Sequence, residues 1–105
     1  MTMVKVLVLD DPVTKMQFVL SALQEFFGNS KPEAWQTTLR CHLNGEAVCA
    51  IYWNPAEADH FVAAATEFAR WHGHPLSFVT RPIPDWERVA GYIFAMVIKI
   101  APNYR

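Results

Sequence analysis

Cysteine is scarce in this chain. Cys41 and Cys49 are the only two in 105 residues, too few for a disulfide framework, and their spacing matches no zinc-binding pattern. A reducing, cytoplasmic setting is the expectation that follows. Long apolar runs are missing as well: nothing approaches the roughly 20 residues needed to span a bilayer, so no membrane partner is expected. The N-terminus reads as a short strand, without the charged, apolar and small-residue regions of a signal peptide. Charge is thin and balanced. A net charge of -1 sets up no field to attract nucleic acid, and no basic run carries interleaved aromatics. Glycine-rich phosphate loops and G-x-S-x-G elbows are also absent, and the sequence shows no internal repeat. These absences leave a single globular domain with a real core as the frame.

Within that frame the apolar spacing lays out six elements. Residues 3 to 9 alternate as a strand. From Met16 the period changes to that of a helix, with Met16, Val19, Leu20, Leu23, Phe26 and Phe27 on one stripe that Gly28 closes. Ser30-Lys31-Pro32-Glu33 predicts a capping box with proline in the first turn. The second helix then runs weakly through Ala34, Leu39 and Cys41 to Asn44-Gly45. Ala47 to Trp53 holds little that is polar and reads as a central strand. Asn54-Pro55 opens a third helix with the stripe Ala58, Phe61, Val62, Ala65, Ala69 and His72, ended by Gly73. Leu76 to Thr80 is a further short strand. The order β-α-α-β-α-β predicts an α+β, two-layer sandwich over residues 1–81.

Arg81-Pro82-Ile83-Pro84 reads as a linker to a C-terminal extension, 82–105. In it Val89, Tyr92, Ile93, Met96, Val97 and Ile100 fall on one helical face, while β-branched residues let a strand from Ile93 to Ile100 compete. Either form is too apolar to stand free in water. The segment is expected to cover the open face of its own sheet or a partner, a homo-oligomer through 85–100 included.

Asp10 and Asp11 stand where the first strand hands over to the first helix, and four readings compete: a helix cap, a metal site, a phosphoacceptor, or a seat for a cationic ligand. The phosphoacceptor reading fails, because no third aspartate ends a middle strand near Trp53-Asn54. For metal, His72 and His74 form an H-x-H across a glycine and lack a third ligand, so no metal is expected. Cys41-His42 suggests a thiol–imidazole dyad, yet helical neighbours point about 100° apart and do not face each other. No enzyme chemistry is expected.

The stretches LDDPVTKMQFVLSALQEFFG, HLNGEAVC and GHPL together resemble the ClpS adaptors of the bacterial Clp protease. The family motifs run N-D-D-x-T-P-M-x-F-V, H-x-x-G-x-A-[IV]-C and H-P-L, in the same order and spacing over residues 3 to 81. The resemblance implies a three-stranded antiparallel sheet packed on helices, as in the ribosomal stalk protein's C-terminal domain. It implies a non-catalytic adaptor, without cofactor, that binds N-terminal bulky apolar residues (N-degrons) and delivers their proteins to an AAA+ Clp ATPase of the ClpA or ClpC type. Asp10, Asp11 and His42 match the positions that hold the substrate's α-amino group. Thr14, Met16, Thr38, Cys41 and Leu76 match the lining of the apolar pocket, with Met16 over its entrance. The chemistry suits that role: an α-ammonium has three donors and a charge, which carboxylates and an acceptor nitrogen satisfy.

The departures are specific. Asp10 stands where the family has Asn, Pro12 where it has a second Asp, and Lys15 where it has Pro. Thr38 and Cys41 are smaller or more polar than the aliphatics usual there, so a roomier pocket is expected. The family's long N-terminal extension has almost no counterpart, and Pro55 and His60 replace a Glu and a Lys that help dock the ATPase. The alternative expectation is therefore a ClpS-fold binder that keeps the pocket and no longer delivers substrates.

Overall fold

The computed structural model describes residues 3–84. Its elements are β1 (Val4–Leu9), α1 (Met16–Phe27), α2 (Lys31–Asn44), β2 (Glu46–Tyr52), α3 (Pro55–Trp71) and β3 (Phe78–Pro82). The expected α+β order β-α-α-β-α-β is the observed one. Among the described residues no helix is long and apolar enough to cross a membrane. The expectations for 85–105, helix or strand, lie outside the described residues.

The sheet is antiparallel throughout, in the order β2-β1-β3. This corrects one expectation: the apolar run after Ala47 is an edge strand, and β1 holds the centre. β2 is apolar without being central because α2 and α3 also pack against it. The pairing of β1 with β2 shifts between Val6 and Leu7, so that Val6 faces Ala50 and Leu7 faces Val48. Cys49 is the extra residue of this bulge, and a bulge leaves its extra residue out of the ladder. The buried Asn29, in the α1–α2 turn, donates its amide to the Cys49 carbonyl at 3.0 Å and so satisfies it.

Helix ends follow the local chemistry. Ser30 and Glu33 form the reciprocal capping box of α2, and Asn54 Oδ1 accepts the Glu57 N–H at 2.8 Å to start α3. Gly28 and Gly45 end α1 and α2 with φ of 66° and 89°, where a side chain is strained. On α2 the buried face is Ala34, Thr37, Thr38 and Cys41. Leu39 was expected there and is exposed, since it lies one residue beyond the i, i+3, i+4, i+7 stripe. Thr38 is tolerated inside because its hydroxyl donates to the Ala34 carbonyl at 2.8 Å. His72, expected on the α3 stripe, is instead the residue that caps the helix end.

One face of the sheet meets the helices. Phe27 of α1 packs on Phe78 with ring centroids 5.0 Å apart, and Phe61 of α3 stacks on Tyr52 at 5.5 Å. The core below them includes Val6, Val8, Leu23 and Ala65. The pattern break expected at Arg81 comes later: Arg81 and Pro82 complete β3, and Ile83 is buried with its N–H on the Met3 carbonyl at 2.9 Å. Proline fits here because β3 is an edge strand, where one missing donor is tolerated.

Candidate functional site

The central strand ends between two anchors. The Leu9 N–H donates to the Ser77 carbonyl at 3.0 Å, and the Asp10 N–H donates to the Gly45 carbonyl at 2.9 Å. Asp10 and Asp11 are thus held between the α2–β2 turn and the loop before β3. Asp11 organises the segment that follows. Its Oδ1 accepts the Val13 N–H at 3.0 Å, an Asx turn, and its Oδ2 accepts a short bond from the Thr14 hydroxyl. The Thr14 hydroxyl, ahead of the backbone bonds, holds the Asp11 carboxyl below the usual range. The N-cap of α1 is Lys15, with no side-chain cap. Asp11 therefore shapes the turn before the helix, and the helix-cap reading of the acidic pair is not the one observed.

Beside this turn lies a cavity of about 260 Å³, lined by Leu9, Asp10, Asp11, Pro12, Thr14, Met16, Val19, Thr38, Cys41, His42 and Leu76. All eight residues singled out in the sequence border it. They divide by burial. Thr14, Val19, Thr38, Cys41 and Leu76 are buried and form the wall. Asp10 and His42 are exposed and Asp11 half-buried, at the rim, and Met16 keeps 37% of its surface. His42 Nδ1 stands 3.9 Å from Asp10 Oδ1, so two acceptor-bearing groups from different elements meet on one side of the mouth.

Leu9, Pro12 and Val19 were not assigned to the site from the sequence. Val19 had a signal, since it follows Met16 by one helical turn, but its place on the core stripe hid it. Arg70 also went unread: its guanidinium donates to the carbonyls of His74 and Leu76, both at 3.0 Å, and so fixes the loop that carries Leu76. No sequence pattern distinguishes such a clamp from a solvated charge.

Other chemistry finds little footing. Cys41 points its thiol at the Val8 carbonyl, 3.4 Å away. Burial first, then the charges of Asp10 and Glu46, push that thiol up to about 11, far from a ready nucleophile. Burial likewise raises Cys49. The two histidines across Gly73 lie against an aromatic ring: the centroid of Phe18 is 4.2 Å from that of His74 and 5.7 Å from that of His72. Among the described residues, no group of three His, Cys, Asp or Glu is placed to hold an ion.

An α+β module with a side-chain-sized cavity, walled mainly by apolar groups and rimmed by carboxylates and an imidazole, has the geometry of a small ligand-binding domain. The comparisons name which kind. The family model for the ATP-dependent Clp protease adaptor protein ClpS matches residues 1–79. The ClpS adapter of Paracidovorax citrulli is 40% identical over 81 residues, which cover 77% of this chain and 66% of that protein. That of Nitrosospira multiformis is 42% identical over 77 residues, 73% of this chain and 74% of that one. Among solved structures, Agrobacterium tumefaciens ClpS2 bound to L-phenylalaninamide superposes with a TM-score of 0.74 at 28% identity, covering 78% of this chain and 98% of that one. The chain belongs to the ClpS family.

Proposed function

We propose that this protein is a non-catalytic adaptor that recognises the first residue of a substrate protein and hands that protein to a Clp ATPase, of the ClpA or ClpC type, for degradation. The observation that carries the reading is the juxtaposition at one cavity of an acidic rim and an apolar wall. A chain start offers an α-ammonium and a side chain together, whereas an internal residue has no ammonium. Asp10, Asp11 and a neutral nitrogen of His42 take the ammonium through charge-assisted bonds. Val19, Thr38, Cys41 and Leu76 take the side chain, and burying a Leu or Phe there contributes about 1.5–3 kcal/mol. L-phenylalaninamide, the ligand of the A. tumefaciens relative, has both features in one small molecule, a free α-amino group and a benzyl side chain.

The test is fluorescence anisotropy with short peptides that begin with Phe, Leu, Trp, Val or Ala, each with a free and an acetylated amine. Bulky free-amine peptides are expected to bind, acetylation to abolish binding, and Asp11→Ala or His42→Ala to weaken it. Equal binding of free and acetylated peptides would overturn the reading. Delivery is tested separately, by co-sedimentation with a Clp ATPase in the presence of a bound peptide.

A second reading, a binder that keeps the pocket without delivering, is favoured by one feature. Pro55 and His60 stand at the start of α3 where the family carries a Glu and a Lys for the ATPase. Peptide binding with no ATPase association would select it.

A further inference from the structure

The two faces of the sheet differ in what covers them. The inner face, with Phe78 and Tyr52, is closed by α1 and α3. Strand alternation turns Lys5 and Leu7 of β1 to the other side. There Lys5 pairs with Ile51 and Arg81, and Leu7 pairs with Val48 and Val79. Leu7, Val48, Ile51 and Val79 thus make an apolar strip facing away from α1 and α3. Polar groups border it: Arg81 bridges to Glu46 with bonds of 2.8 and 3.0 Å, and Arg40 and Asn44 reach its margin from α2. A sheet face that meets water carries polar residues at its outward positions; here Lys5, Arg81 and Glu46 are polar, and the positions between them, Leu7, Val48, Ile51 and Val79, are apolar.

We propose that residues 85–100 of the same chain are the cover of this strip. The point of departure is right: the Ile83 N–H on the Met3 carbonyl carries the β1–β3 ladder one step past Pro82 and releases the chain at the end of the central strand, beside Lys5 and Arg81. The composition is right. Asp85 and Glu87 come first, next to those two cations, and Val89, Ile93, Val97 and Ile100 follow to meet the apolar strip. The length is right as well. Even at 1.5 Å per residue 85–100 reaches about 24 Å, and the six residues of β1 span about 20 Å. A second copy offers the same residues, but the tether through Pro84 holds the chain's own segment at an effective concentration of order millimolar, which favours the intramolecular contact. The proposal stands whatever the pocket binds.

The full-length protein, with isotope-labelled methyl groups, decides the matter by nuclear Overhauser contacts. Cross-peaks from Leu7, Val48, Ile51 and Val79 to Val89, Ile93, Val97 and Ile100 are expected in the uniformly labelled protein. They are expected to vanish in an isotope-filtered experiment on a mixture of differently labelled copies. Cross-peaks that persist in the mixture would assign the strip to a second copy and overturn the proposal. No cross-peaks in either sample would do so too.

Discussion

The Thr14 hydroxyl donates to Oδ2 of Asp11, and through that bond a buried wall residue fixes the orientation of a rim carboxylate. Removing the donor without changing the volume isolates the effect. Thr14→Val is expected to cost about 1 kcal/mol of stability in urea denaturation and to weaken binding of a free-amine Phe peptide about tenfold, near 1.4 kcal/mol. Unchanged affinity would mean that Asp11 does not touch the ligand.

Acid should loosen the fold through the carboxylates held low. Asp11 is lowered by Thr14, and Glu46 by its bond to Arg81. Both bind protons less readily when folded, so their contribution is complete above the unfolded values of about 3.9 and 4.3. It is lost as pH falls through the depressed folded values. The urea midpoint is expected to be level from pH 7 to 5 and to drop below pH 4, with a shallower drop in Asp11→Asn.

Alkali should act through Cys41. Its folded thiol titrates at about 11, above the unfolded value near 8.5, so the stability it lends is full below that value and fades as pH rises toward 11. At pH 8 iodoacetamide is expected to modify the folded protein far more slowly than the urea-unfolded one. Equal rates would show that the cavity wall opens readily.

Two buried polar groups predict opposite outcomes. Asn29→Ala leaves the Cys49 carbonyl at the bulge without its donor and should cost about 1–3 kcal/mol. The Tyr52 hydroxyl is buried with no partner among the described residues, so Tyr52→Phe should be neutral or stabilising by up to about 1 kcal/mol. Denaturant midpoints of the two variants, measured side by side, check the sign.

How much was legible follows from the range of each interaction. Element order, the capping box at Ser30, the stop at Gly28 and the Asn54 cap depend on residues within a few positions of one another, and all could be read in advance. So could the eight cavity residues, because a motif resemblance carries spatial information that spacing alone does not. The strand limits were less legible: Leu76 looked like strand, whereas β3 starts at Phe78 and runs through Pro82. Which strand holds the centre was misread, since an apolar edge strand under two helices has the composition of a central one.

The sequence by itself determined the element order and the helix ends, because periodicity and capping are local, and its motif resemblance singled out eight residues that border the cavity. Only the tertiary structure decided that β1 is central, that the bulge at Cys49 is answered by Asn29 from 20 residues away, and that Arg70 holds Leu76 at the cavity. Those outcomes rest on contacts between segments distant in the chain, and they exist only once the sheet and helices have closed on each other.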